Sequence, residues 1–419
     1  MGAGDFMRAE RMDRRLRFDF NDLDVFAQAG FPHDLATPIR QSDPVHWHDV
    51  SGEPFWLILR HADLISISRN WKVFSSANEY GGIHGLNEFQ RRRRIDNLTE
   101  NVFATMDPPE HGKYRGLVVK AMMPSAIRRV SDRVREVSIE RTEAAIAKDV
   151  SDFVVDVAQW IPLEAVAELG NIPTTNRQDV FRWVNAMLGP DDPEYAATAS
   201  AGPEGRRSLQ KLCEAIYEAR KADLSDDIIS MMIQAEVDGR PVTARQCAAF
   251  FELLISAGSE TTRTTLSHGL LALARNPQQY AAMRADEDLI PQAIEEMLRW
   301  ATPVHYMRRG VTSDVEVGGK QMKSGDSIIL CYASANRDED IFERPFEFDI
   351  FRKVNPHLSF GGNGPHTCLG ANLARMEMKV FFTEFCRRVG RVELAGDPAY
   401  LRSNQMNGIK HLPLRLFAA

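Results

Sequence analysis

Phe360-Gly-Gly-Asn-Gly-Pro-His-Thr-Cys-Leu-Gly370, continued by Ala371-Asn-Leu-Ala-Arg375, puts one cysteine, Cys368, in a glycine-rich loop that runs into a helix. The spacing of Leu373, Met376 and Val380 predicts that helix, and Gly390 is placed to end it. A thiol just ahead of a helix N-terminus faces free backbone N–H groups and the positive end of the dipole, which both favour thiolate. Gly361, Gly362, Gly364 and Gly370 leave space for a flat, bulky group against the backbone. Pro365 stiffens the loop and His366 adds a donor. A thiolate presented in this way suits a metal with a single protein ligand, and haem iron is the leading case. The alternative is an ordinary buried cysteine beside a loop.

With Gly364, His366, Cys368 and Gly370 in register, the stretch resembles the haem-ligand signature of cytochrome P450 monooxygenases, a glycine-rich loop followed by G-x-H-x-C-x-G. It departs from that signature at the aromatic position ahead of the cysteine, which is Gly361 here with Phe360 one place earlier. This F-G-G-x-G form is similar to a branch of bacterial enzymes acting on sterol side chains and methyl-branched lipids. The resemblance implies haem b held through Cys368 as metal ligand, with Phe360, Gly361, His366 and Gly370 also in the cofactor site.

The chain has 419 residues and a formal net charge of -7, which argues against nucleic acid as a default partner. Motifs spread from residue 105 to 375 have to converge on one cofactor, so residues 21–419 read as a single large domain after an arm at 1–20. Five widely spaced cysteines, Cys213, Cys247, Cys331, Cys368 and Cys386, contain no C-x-x-C and indicate a reducing compartment. Met1 to Phe20 is rich in Arg, Asp and Glu and reads as neither signal peptide nor membrane anchor, so a cytoplasmic location is expected.

Asn21 to Arg40 predicts a helix broken near Gly30 and Pro32. Pro44–His48 and Phe55–Leu59 predict a strand pair around Ser51-Gly52, and Ala62 to Arg69 a short helix. Residues 75–105 lack sustained periodicity, as a functional lid does. Their run Arg91–Arg94 reads as a solvated face, or else as a docking patch for an acidic partner. Pro108, Pro109 and Glu110 open a helix on which His111 and Arg115 share one face. Two donor groups on one face can bind a pair of carboxylates, and the resemblance assigns His111 and Arg115 to the haem propionates. Residues 125–240 read as mainly helical, with a break from Gly189 to Pro203 that in the family belongs to a movable roof.

Thr243 to Arg275 is one helical pattern of about 33 residues, roughly 50 Å long. Its middle, Ala257-Gly-Ser-Glu-Thr-Thr262, is a poor choice for a buried helix unless small residues and hydroxyls are needed there. The segment resembles the family's oxygen-activation motif. That implies Thr261 as the hydroxyl assisting dioxygen, Glu260 as the proton relay, and Ala257 and Gly258 as the cofactor-facing surface. The bland alternative is a surface ion pair between Glu260 and Arg263.

Glu296-Met-Leu-Arg299 is a weak motif on its own, but it stands where the family has a buried network, with Arg352 as the third member. Pro303–Arg309 reads as extended, with Val304, His305, Tyr306 and Met307 expected along the pocket. Arg309 matches the propionate-binding arginine, with Arg308 as fallback. A hairpin is expected around Gly318-Gly319 and a strand over Ser327–Tyr332.

The expected fold is mainly α with a small β-rich lobe, the single-domain cytochrome P450 fold. The expected reaction is hydroxylation of an apolar steroid, terpenoid or aliphatic lipid by dioxygen. As in bacterial relatives, electrons would come from a separate ferredoxin and ferredoxin reductase, a small acidic ferredoxin docking on the face near Cys368 where Arg115, Lys120, Arg128 and Arg129 could supply positive charge. The alternatives are a hydroxylase of small aromatic acids, a haem-thiolate sensor without turnover, and an enzyme using peroxide directly.

Overall fold

The computed structural model describes residues 18–83, 102–119, 124–187, 191–196 and 201–419. Arg91–Arg94, Lys120 and the arm up to residue 17 lie outside the described residues.

Gly30, at φ +78°, breaks the first helical pattern into α1 (Leu23–Ala29) and α2 (His33–Ser42). Phe18 and Phe20, counted with the arm in the sequence, cluster with Phe26 of α1, Phe20 meeting both other rings edge-on. The expected strand pair is β1 (Val45–His48) antiparallel to β2 (Phe55–Ile58), followed by α3 (His61–Arg69) and the short β3 (Phe74–Ser75).

The helical body then begins with α4 (Glu110–Val119) and α5 (Pro124–Ile146). After β4 (Ser151–Asp152) come α6 (Trp160–Leu169), α7 (Thr174–Met187), α8 (Pro193–Ala196), α9 (Ala201–Arg220) and α10 (Ile228–Ile233). Asp227 caps α10 by accepting from Ser230 N at 2.7 Å. A small hairpin, β5 (Glu236–Val237) with β6 (Arg240–Pro241), leads to the long helix α11 (Ala244–Arg275). Thr243 caps α11 in a reciprocal arrangement with Gln246.

Helix α11 runs for 32 residues through its Gly, Ser and Thr positions. Hydroxyls along it bond the preceding turn: Thr265 donates to Thr261 O and Ser267 to Arg263 O, both at 2.8 Å. The helix joins two apolar clusters. Phe250 and Phe251 pack in one, and Leu266, Leu270 and Leu273 in the other. Burying each of these side chains contributes about 1.5–3 kcal/mol.

Helices α12 (Pro277–Ala285) and α13 (Ile290–Ala301) precede the β lobe. There β7 (Tyr306–Val311), the hairpin β8 (Val315–Val317) and β9 (Lys320–Met322), and β10 (Ser327–Cys331) assemble on the N-terminal strands. The sheet order is β1-β2-β10-β7-β3, with only β2 and β10 parallel. After the short α14 (Tyr332–Ala335), the cysteine loop opens into α15 (Ala371–Arg388). That helix ends at Arg388, two residues before the expected Gly390, because Gly390 belongs to β11 (Val389–Leu394). A Cβ at Gly390 would come within 2.8 Å of Ala418 O. The chain closes with the hairpin β12 (Ala399–Tyr400) and β13 (Ile409–His411), then β14 (Pro413–Ala418) between β11 and β4.

The loop between β12 and β13 is tied down by buried neutral imidazoles. His268 Nε2 lies 2.7 Å from Asn407 O, and His305 Nδ1 lies 3.0 Å from Asn404 O. Burial holds both rings down at about 4. An unfolded chain takes up these protons near 6.5, so it binds more protons than the native protein between the two values. Stability from these groups is complete above pH 6.5 and falls as the pH drops toward 4, by roughly 1.4 kcal/mol per histidine per pH unit. Glu377 on α15, pushed up to about 8 by burial, and the raised Glu260 work in the opposite sense, but His33 and His366 are also depressed by burial and act with His268 and His305. Urea unfolding midpoints should therefore be lower at pH 5 than at pH 7, and equal midpoints would contradict this account.

Candidate active site

Cys368 opens onto a cavity of about 430 Å³ between α11 and the start of α15. The loop that carries it is fixed by its own backbone, with Cys368 N donating to Phe360 O at 2.9 Å and Gly361 held at φ +99°. Two glycines expected to make room for a ligand have another task. A Cβ at Gly364 would meet Ser68 O at 1.9 Å, and one at Gly362 would meet Ser68 Oγ at 2.4 Å. These two glycines let the loop lie against α3. Gly361 and Gly370 remain on the cavity wall.

Burial pushes the Cys368 thiol up, against the Gly370 N–H, Arg115 and Arg375, which pull it down. A metal cation at sulfur would reverse that balance, because a coordinating thiol is deprotonated outright.

Hydrogen bonds carry the loop's position back into the core. Glu296 and Arg299, both fully buried on α13, pair at 2.6 and 2.8 Å, and Arg352 Nε reaches Glu296 at 3.1 Å. Arg299 also donates to the carbonyls of Asn336, Pro345 and Glu347. Asn336 in turn accepts from Leu358 N at 2.7 Å and donates to Ser359 Oγ at 2.9 Å, at the root of the cysteine loop. The expected triad is thus assembled as a brace. A second brace was missed in the sequence. Arg375 forks onto Glu295 at 2.7 and 2.8 Å, His357 meets the same carboxylate at 3.1 Å, and the guanidinium lies 4.5 Å from the Phe360 ring centroid. Burial would raise Glu295, but bonds from Arg375 and His357 outweigh it and hold the carboxyl at about 2.

Ala257, Gly258, Glu260 and Thr261 all line the cavity from α11. Thr261 Oγ1 donates to Ala257 O at 2.8 Å, so the hydroxyl can meet the cavity only as an acceptor. Glu260 does pair with Arg263, but both are buried, so this is not the surface ion pair of the bland reading. Burial raises the Glu260 carboxyl, with Arg263 and Thr264 opposing.

Arg115 and Arg309 reach the cavity as well, and Arg308 does not: it is consumed by Tyr80 O, Gly82 O and Ser327 Oγ. His366 lines the cavity, and His111 stands behind it with ring centroids 4.4 Å apart. Val304 and Met307 also line the cavity, whereas His305 and Tyr306 pack into the aromatic cluster of Phe20, Phe26 and Phe31. The alternation expected along Val304–Met307 fails because β7 begins only at Tyr306.

These residues fit a flat dianionic iron porphyrin. Among the described residues, Arg115 and Arg309 have no carboxylate hydrogen-bond partner; Arg309 Nη1 bonds only Arg308 O. The buried Nε2 atoms of His111 and His366 also lack partners there. Burial, then Arg309, His111 and Arg115, drive the His366 imidazole down to about 2, so cationic groups converge at this wall of the cavity. Of the residues expected at the electron-donor patch, Lys120 lies outside the described residues. Arg115 lines the cavity and Arg129 is engaged by Asp226 O and Glu168, which leaves Arg128 exposed. No described helix is long and apolar enough to cross a membrane.

Comparison with known proteins gives the same direction. The family profile described as Cytochrome P450 matches residues 179–390. The chain is 36% identical over 401 residues to a steroid C26-monooxygenase of Mycolicibacterium smegmatis, covering 94% of this chain and 92% of the relative. It is 38% identical over 371 residues to a methyl-branched lipid omega-hydroxylase of Mycobacterium bovis, covering 87% and 85%. A solved Mycobacterium marinum cytochrome P450 in complex with pseudoionone superposes at a TM-score of 0.84 with 34% identity, covering 91% and 94% of the two chains.

Proposed function

The chain belongs to the cytochrome P450 family, as a haem b monooxygenase related to steroid and lipid hydroxylases, and from that premise we propose that it hydroxylates an elongated apolar molecule, a steroid, terpenoid or branched lipid, with electrons from a separate ferredoxin system. The observation that carries the substrate reading is the cavity wall. Leu253, Leu254, Val166, Leu169, Val304 and Met307 offer an apolar surface beside the hydroxyl and carboxyl of α11. An aromatic acid is disfavoured, because the arginines that reach the cavity near Cys368 are the ones a haem would occupy.

When bound, haem b supplies the iron at which dioxygen is reduced, one oxygen atom going to a C–H bond and the other leaving as water. Cys368 would hold the iron, and the two braces tie the cysteine loop to α13 and the start of α15. Arg115 and Arg309, with His111 and His366, hold the propionates; Ala257, Gly258, Phe360, Gly361 and Gly370 form the bed. Glu260 holds the proton that the reaction consumes, and Thr261, accepting from the cavity side, orients the O–H that delivers it. Residues 21–419 act as one domain in this reading.

The test is difference spectroscopy on the ferric holoenzyme with steroids, terpenoids, branched fatty acids and aromatic acids. A low- to high-spin shift is expected with one of the apolar classes, followed by product formation when ferredoxin and its reductase are supplied. A shift with aromatic acids alone would overturn the substrate reading.

A further inference from the structure

One end of the cavity is polar. Asp191, Arg402, Ser403 and Gln405 line it together, Asp191 ahead of α8 and the others on the loop between β12 and β13. Arg402 is held at several points. Its backbone N donates to the buried Asp192 at 2.9 Å, its Nε meets Asp24 at 2.5 Å, and its Nη1 donates to Asp191 O at 3.0 Å. Asp192 is itself fixed by Lys410 at 3.0 Å, and Lys410 also holds Glu194 at 2.9 Å. His411 completes the frame, bridging Asp152 at 2.5 Å and Glu194 at 2.7 Å. Nη2 of Arg402 has no hydrogen-bond partner among the described residues. The guanidinium is thus a held donor with N–H groups to spare on a cavity wall that also carries Leu253, Leu254, Val304 and Met307.

Its charge, however, is already answered. Asp24 is in contact, and Asp191 and Asp22 act on the same group. A ligand carboxylate arriving there would meet three acids for one arginine. A neutral acceptor would meet only the free N–H groups.

We propose that Arg402 is a specificity-determining residue that reads a neutral oxygen, a ketone or hydroxyl, at the end of the apolar substrate remote from the oxidised carbon. This rests on the apolar-substrate reading above and adds the polar end to it. A substrate bearing such an oxygen is held lengthwise, and its hydrocarbon end is presented to the cavity floor at Cys368.

The experiment uses the ferric holoenzyme and three ligands of one carbon skeleton: pseudoionone, the hydrocarbon lacking its carbonyl oxygen, and a carboxylic acid of matched length. Spin-state titration gives each Kd. The wild type is expected to bind the ketone at least about tenfold more tightly than the hydrocarbon, and more tightly than the acid. In Arg402→Met the ketone-to-hydrocarbon ratio is expected to fall to about one, while Arg402→Lys keeps part of it. The ratio cancels any general damage to the cavity. Equal affinities in the wild type, an unchanged ratio in Arg402→Met, or tightest binding of the acid would each overturn the proposal with the apolar-substrate reading intact. If no apolar ligand shifts the spin state, both fail together.

Discussion

Cys368→Ala is expected to reduce turnover by at least about 10³-fold, a loss of about 4 kcal/mol of transition-state stabilisation. The reduced, carbon-monoxide-bound protein should also lose the strongly red-shifted Soret band that thiolate ligation gives. The expectation rests on the thiolate's donation of electron density, which favours O–O cleavage and which no neighbour can replace. The other cysteines, Cys213, Cys247, Cys331 and Cys386, are buried away from the cavity. Burial pushes Cys247, Cys331 and Cys386 up to about 12, so they are poor thiolates. The loop itself should survive the change, because its backbone bond from residue 368 to Phe360 O and the Glu296–Arg299 brace do not use the thiol. Haem uptake and thermal stability measured alongside will show whether it does. A thiolate-type band persisting in Cys368→Ala would mean that another cysteine ligates the iron, and the cavity described here would lose its role.

The same loop shows where local sequence stops being informative. The register of Cys368, His366 and Gly370, and the run of small and hydroxyl residues in α11, are contiguous features whose chemistry is local, and they were legible. The Arg375–Glu295–His357 brace joins residues 80 and 62 positions apart, and nothing near Glu295 marks it as different from its neighbour Glu296. Gly362 and Gly364 were legible as glycines but not in purpose, since the backbone that demands them belongs to Ser68 on α3. The influences on the Cys368 thiol divide in the same way. A helix N-terminus can be read from sequence, while the burial that outweighs it is a property of the whole fold. Arg402 escaped notice because its neighbours Asp24 and Asp191 come from the N-terminal half, 378 and 211 positions away, and meet it only in the folded chain.

Buried ion pairs constrain how the acid on α11 can be tested. Removing one partner of a buried pair leaves an uncompensated charge and costs about 3–5 kcal/mol. Glu260→Gln would do that to Arg263, so lost activity alone would confuse chemistry with folding. Thr261 is outside the pair, and among the described residues its hydroxyl bonds Ala257 O in its own helix and nothing else, so Thr261→Val is the cleaner probe.

Thr261→Val is therefore expected to leave haem binding and thermal stability near wild type and to uncouple the reaction. Electrons continue to be drawn, hydrogen peroxide is released, and product per electron pair falls by about 10²-fold or more, the lower range for a positioned proton-transfer group. Glu260→Gln should slow the proton-dependent step by a similar factor, about 10²–10⁴, and enlarge the solvent isotope effect. The two variants are told apart by pH. Burial raises Glu260, so in the wild type the carboxyl carries its proton at higher pH than an exposed glutamate, and turnover should decline as the pH rises through its value. That limb should vanish in Glu260→Gln, which cannot titrate, and persist in Thr261→Val, which retains the acid. Glu260→Asp, which keeps a carboxyl opposite Arg263, should restore part of the rate and the limb together. Rescue of stability without rescue of the pH limb would assign Glu260 to the ion pair alone. Full coupling in Thr261→Val would remove the hydroxyl from the proton path and leave the cavity's own water to carry it.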